Sequence, residues 1–188
     1  MEQNAKAELY LAFAAIFQRP RPEISDHLEE LIELWAEEIP ASRTQVQVLE
    51  DFCRKHPAGE KRLNTLWEHY IPLFETGKVE ASPYASVHLN REKQVLGTES
   101  MAVKSFYEKA GYAIESNGEL PDHLAVELEF AALLARDGQE EYLAEFKKVH
   151  LLPFLSVILP LIRNSGRPVY AAAAAILQDW QIHSEERG

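Results

Sequence analysis

Apolar positions recur along this chain at intervals of three and four for most of its length, the spacing that lays one side of an α-helix against a core. Over 5–17, Leu9, Leu11, Ala12, Phe13, Ile16 and Phe17 are nearly continuous, so a largely buried first helix is expected, stopped by Gln18-Arg19-Pro20-Arg21-Pro22. A second helix is expected over about 23–39, with Leu28, Leu31, Ile32 and Trp35 on one side, glutamates opposite and Pro40 at its close. Within it Ser25-Asp26-His27-Leu28-Glu29 reads as a helix start close to a capping box. A third spans about 44–56 with Val46, Leu49, Phe52 and Cys53 inward, and a fourth begins at about Glu60 with the stripe Leu63, Leu66, Trp67, Tyr70, Leu73 and Phe74. Pro72 should bend its last turn before the chain reverses at Thr76-Gly77.

The stretch 75–96 then loses any sustained period. Loops of that length inside a compact domain are uncommon and are often functional. Thr98 is expected to cap a fifth helix carrying Met101, Val103, Phe106 and Tyr107, stopped by Gly111. Asn117-Gly118 breaks the chain again, Pro121 fixes one backbone angle, and Asp122 is placed to accept from the free N–H groups of a sixth helix over about 122–136. His123, in the first turn, is expected to point out of the core toward a neighbouring loop. A seventh helix covers about 140–150, an eighth 153–163, apolar on all sides and so expected at the centre, and a ninth 168–183. With no strand or repeat, the pattern predicts an all-α fold of about eight to ten helices in a single domain, 1–188.

Composition narrows the function classes. Of 188 residues, 46% are hydrophobic and 26% charged, the balance of a globular chain and not of a disordered one. Thirty acidic against 19 basic side chains give a formal net charge of -11, which disfavours nucleic acid and favours a cationic partner. The single cysteine, Cys53, permits neither an internal disulfide nor a thiolate metal cluster within one chain, which suits a reducing cytoplasm. The first residues lack the basic and apolar regions of a secretory signal, and the apolar run 151–162 is too short to span a bilayer, so a cytoplasmic location without integral membrane contact is expected.

Motif chemistry is sparse. There is no phosphate-binding glycine loop, no G-x-S-x-G elbow and no H-E-x-x-H, and the seven histidines have no His or Cys partner at helical spacing, so neither a metal nor a cofactor is expected. Asp122 and His123 are adjacent ionisable groups at a helix start, which keeps a small hydrolase as an alternative, beside an acidic helical scaffold with no activity. Glu119, Asp122 and Glu127 offer carboxylates for a cationic ligand. Leu73, Phe74 and Tyr84 offer apolar surface for the same ligand, although apolar positions of this kind are ordinarily core.

Four pieces in order carry a resemblance. They are Tyr70-Ile71-Pro72-Leu73-Phe74, Ser82-Pro83-Tyr84-Ala85-Ser86-Val87-His88-Leu89, Phe106-Tyr107-Glu108-Lys109-Ala110-Gly111, and the run from Glu119 through Pro121, Asp122, His123 and Leu124 to Phe130. Together with His150-Leu151-Leu152-Pro153-Phe154 they resemble the TorD/DmsD/NarJ type of redox-enzyme maturation chaperone. Two positions depart from that family's pattern: His88 stands where an aromatic residue is usual, and the signature proline, Pro121, is one place late. The resemblance implies an all-helical cytoplasmic chaperone, not an enzyme. Its implied partners are the twin-arginine signal peptide and the catalytic subunit of a molybdoenzyme, whose maturation it assists before export. The peptide-binding residues it implies are Tyr70, Leu73, Phe74, Pro83, Tyr84, Ser86, His88, Glu119, Pro121, Asp122, His123 and Glu127. Monomer and homodimer are both compatible with it.

Overall fold

The computed structural model describes residues 2–76, 79–91, 93–113 and 119–185, and it is all-α. Asn117-Gly118 and Gly77, expected as chain breaks, lie outside the described residues. The helices are α1 (Glu2–Phe17), α2 (Pro22–Asp26), α3 (Leu28–Glu38), α4 (Arg43–Lys55), α5 (Glu60–Tyr70), α6 (Ala85–Leu89), α7 (Thr98–Lys109), α8 (Leu124–Arg136), α9 (Glu140–Phe146), α10 (Leu152–Arg163) and α11 (Pro168–Glu185). Nine of them answer the periodic segments of the sequence. The other two are five-residue helices: α2, split from the expected second helix, and α6, inside the stretch read as irregular.

The chain divides into two compact units, Met1–Ala14 with Ser82–Ile158, and Ala15–Ala81 with Leu159–Gly188. In the latter, α11 packs on α4, α3 on α4, and α2 on α5. The break between α2 and α3 has a specific cause. Arg62 of α5 is 1% exposed, and its guanidinium donates to the carbonyl of Ser25 (2.8 Å), the acceptor that a continuous helix would reserve for residue 29. It also donates to the His56 carbonyl (2.6 Å) and grips both carboxylate oxygens of Glu29. Asp26 therefore ends α2 and caps nothing; the cap position of α3 is His27, whose side chain pairs with Glu30 (2.8 Å) and makes no capping bond, so the capping-box reading is corrected.

Pro72 does more than bend a turn. Residues Ile71–Glu75 form a π-helical turn, closed by Thr76 N–H on Ile71 O (3.1 Å), and the carbonyl of Leu73 accepts from Ala81 N–H (2.9 Å). A missing proline N–H is thus absorbed by widening the turn and handing its acceptors to the next segment. In this unit Tyr70, Leu73 and Phe74 are buried, and the Tyr70 and Phe74 rings lie 6.0 Å and 5.7 Å from that of Tyr170 on α11.

The unit Met1–Ala14 with Ser82–Ile158 is held by aromatic contacts. Phe106 and Tyr107 of α7, Phe130 of α8 and Phe146 of α9 meet at centroid distances of 4.1 to 6.2 Å. A second π-turn, Lys147–Leu151, leads from α9 into α10. Two expectations are corrected. Thr98 is the first residue of α7 and Gly97 holds its cap position. And α10, though apolar on all sides, is enclosed on one side only: Phe154, Leu155, Ile158, Leu159 and Ile162 are buried, whereas Val157 and Leu161 are exposed.

Candidate functional site

Two helix starts in the unit containing Ser82–Ile158 finish one another. The first N–H groups of any helix have no partner within it and need acceptors from elsewhere. At α6, Ala85 N–H donates to the carbonyl of Asp122 (2.9 Å) and Ser86 N–H to its carboxylate Oδ2 (2.8 Å). At α8, Leu124 N–H donates to the carbonyl of Pro83 (2.8 Å) and Ala125 N–H to Nδ1 of His123 (3.1 Å). Both helix dipoles point their positive ends at this junction, where a carboxylate is favoured.

Asp122 thus caps a helix, as the sequence suggests, but the helix is α6 and not its own. The cap of α8 is His123, one place later than expected. Because Nδ1 accepts a hydrogen bond, the neutral ring carries its proton on Nε2. A hydrolytic dyad of the Ser-His-Asp kind would need Nδ1–H donating to the aspartate, so this geometry gives both side chains positioning work instead.

The loop is fixed by side chains as well. Tyr84 forms an isolated antiparallel bridge with His123, their rings meet edge to face at 5.3 Å, and Tyr84 hydroxyl donates to Glu119 (3.0 Å). His88 Nε2 pairs with the Ser82 carbonyl (2.8 Å), and its ring lies 5.9 Å from that of Phe154. Tyr107 hydroxyl donates to the carbonyl of Pro121 (2.8 Å). His123 does face the loop, as expected, but it is 3% exposed, and Asp122 and Ser86 are wholly buried: the two segments meet by direct backbone pairing.

The structure therefore brings Pro83, Tyr84, Ser86, His88, Glu119, Pro121, Asp122, His123 and Glu127 into one unit. Pro83, Ser86, Asp122, His123 and Glu127 are buried; Tyr84, His88, Glu119 and Pro121 keep part of their surface in solvent. Tyr70, Leu73 and Phe74 belong to the other unit, in the aromatic packing described above.

Glu127 is electrostatically perturbed. Burial pushes its carboxyl well above the ordinary glutamate range, and the neighbouring acids Asp122 and Glu99 push it the same way. Tyr107 is likewise raised well above its usual value, first by burial and then by Glu127, Asp122 and Glu129. Glu99 of α7, paired with His150 Nδ1 at 2.7 Å, belongs to this polar cluster and escaped the sequence reading. An acid in the first turn of a helix is too common to stand out, and its partner is 51 residues away. Among the described residues no three His, Cys, Asp or Glu side chains are grouped to hold a metal ion.

This architecture has known counterparts. The chaperone protein TorD of Shewanella sp. (strain ANA-3) is 27% identical over 194 residues, covering 94% of this chain and 90% of its own. The Tat proofreading chaperone DmsD of Salmonella paratyphi A is 31% identical over 105 residues (53% of this chain, 52% of its own), and the probable nitrate reductase molybdenum cofactor assembly chaperone NarJ of Bacillus subtilis 34% over 88 residues (45% and 47%). The crystal structure of an Archaeoglobus fulgidus protein described as a redox enzyme maturation protein superposes with a TM-score of 0.64 at 26% identity, over 94% of this chain and 93% of that one. The resemblance carried by the four motifs is thus borne out. A family model for the nitrate reductase delta subunit matches residues 22–159, well over half of the chain, and the protein belongs to that family.

Proposed function

We propose that the protein is a cytoplasmic maturation chaperone, without catalytic activity of its own, that binds the twin-arginine signal peptide or the apo catalytic subunit of a molybdoenzyme before export. The observation that carries this reading is the similarity, along 94% of the chain, to a relative named as a chaperone, with shorter matches to two more. The whole chain, 1–188, is taken as the working domain, alone or as a homodimer. Its acidic surface, at a formal net charge of -11, suits a cationic leader.

The roles divide by exposure. Tyr84, His88, Glu119 and Pro121 offer an apolar and acidic rim to the peptide, while Pro83, Ser86, Asp122, His123 and Glu127 hold that rim in place from beneath. Tyr70, Leu73 and Phe74 serve as the apolar body of their unit. The test is titration of a fluorescent twin-arginine leader into the purified protein at rising salt. Binding should weaken with salt, because screening acts on exposed charge pairs. Glu119→Gln should weaken it further with unchanged thermal stability. Equal binding of a leader with both arginines replaced would refute the reading.

A further inference from the structure

Over 146–178 the chain has no aspartate or glutamate, although it carries 30 of them elsewhere. The cations of that stretch are Lys147, Lys148, Arg163 and Arg167. Arg167 is neutralised by Glu80 (2.9 Å), whereas the partner of Arg163 is the neutral amide of Gln178 and Lys148 stands exposed. The nearest acids on either side are engaged, Glu145 by Lys109 (3.0 Å) and Asp179 by Ser42 (2.7 Å).

The same stretch holds the second π-turn and α10, one helical run over 147–163. Its outer residues are Val149, Pro153, Ser156, Val157, Pro160 and Leu161, spaced by three and four so that they share one side. Val149 is 51% exposed, Val157 38% and Leu161 40%. The hydroxyl of Ser156 turns back on to the Pro153 carbonyl (2.7 Å), and between Lys148 and Arg163 the one ionisable residue is the buried His150. Arg163 follows Pro160 by three and Ser156 by seven, which puts it on that side too, while Lys148 adjoins Val149 at the other end. Scattered exposed aliphatics are ordinary; an uninterrupted stripe closed by cations at both ends is not.

The middle of this side has neither the aromatic anchors nor the directional polar groups by which a protein partner fixes its register. A lipid surface needs neither, since apolar contact is non-directional and headgroup charge is diffuse. Depth follows from the fold. The inner side is occupied by core, and no helix among the described residues is long and apolar enough to cross a membrane. Pro160, inside the helix, offers the Ser156 carbonyl no N–H, so this side belongs at the level of hydrated headgroups.

We propose that the outer side of 147–163 is a docking face for an anionic phospholipid surface, with the aliphatic stripe resting among the headgroups and Lys148 and Arg163 meeting their phosphates. The acids elsewhere in the chain are repelled by the same surface, so the charge asymmetry orients the protein as well as holding it. The face needs no peptide at the Tyr84 and Glu119 rim.

The experiment is flotation of the full chain with vesicles of phosphatidylcholine alone, and of phosphatidylcholine mixed equally with phosphatidylglycerol, at low and high salt. Binding to the mixed vesicles should exceed that to the neutral ones by about tenfold and fall as salt rises. Lys148→Gln should weaken it about fivefold, the loss of one cation near the surface. Val157→Asp should weaken it about tenfold, whereas Val48→Asp, a like change at an exposed position of α4, should leave it unchanged. Equal flotation with both vesicle types, or none with either, overturns the proposal. So does any result in which Val157→Asp and Val48→Asp bind alike, or in which Lys148→Gln costs nothing. Should a variant fail to fold, the dependence of the unaltered chain on lipid charge decides alone. No leader is present, so failure here is distinct from failure of the peptide-binding reading.

Discussion

Replacing Asp122 by alanine tests the junction most directly. The change removes the acceptor 2.8 Å from Ser86 N–H, on a residue with no solvent exposure, and leaves in place the main-chain bond from Ala85 to the Asp122 carbonyl. A buried N–H left unsatisfied costs about 1–3 kcal/mol. The loss of a helix cap, about 1 kcal/mol, is the same bond seen from α6 and is not added to it. A loss of about 1–3 kcal/mol is expected, and for a chain of this size it lowers Tm by roughly 2–12 °C. Asp122→Asn retains an acceptor oxygen and should lose less than about 1 kcal/mol. Urea unfolding at neutral pH, with the slope unchanged, measures both variants. If alanine leaves stability at the wild-type value, or asparagine costs as much as alanine, Asp122 is not what holds the loop.

Two further outcomes follow from the other unit. Arg62→Ala leaves the Ser25 and His56 carbonyls without their donor and removes the pairing of Glu29, so unfolding in urea should show a loss of about 3–5 kcal/mol. Glu29→Gln touches a half-exposed partner and should cost no more than about 1 kcal/mol; equal costs would refute the asymmetry. Burial, ahead of its charged neighbours, pushes the Cys53 thiol up to about 11 from 9.0. Alkylation of the folded protein should then run about a hundredfold slower than that of the urea-unfolded chain at the same pH, and equal rates would refute it.

The helices were legible where burial is one-sided and long. In α1, α4, α5, α7 and α8 the apolar positions, with the proline, glycine and polar residues at their ends, place the element to within a turn. What escaped was set by partners distant in sequence. The break at His27 depends on Arg62 taking the Ser25 carbonyl, 37 residues away. Helix α6 depends on Asp122, and five residues of Ala-Ser-Val-His-Leu carry no helical period of their own. The site divides the same way. Asp-His at a helix start announced a cap, and a cap is there, but which side chain serves which helix was decided by the loop folding against it. The sequence offers Glu127 as a carboxylate for a cationic ligand, yet it is wholly buried, and nothing local marks that, since sequence spacing does not reveal what covers a position.

The reciprocal capping of α6 and α8 also orders events during synthesis. Five residues are too few to sustain a helix unaided, because nucleation consumes more conformational freedom than one or two internal bonds return. The acceptor for Ser86 lies 36 residues downstream. At about 5–20 residues per second, the ribosome delivers it roughly two to seven seconds after Ser86 itself has been made. For that interval the 85–89 segment lacks the acceptor that starts its helix, although α7, on which α6 packs, has already been made. A ribosome-bound chaperone or protease would meet this segment before the protein's own α8 does, and a pause placed between codons 90 and 122 would lengthen the opportunity.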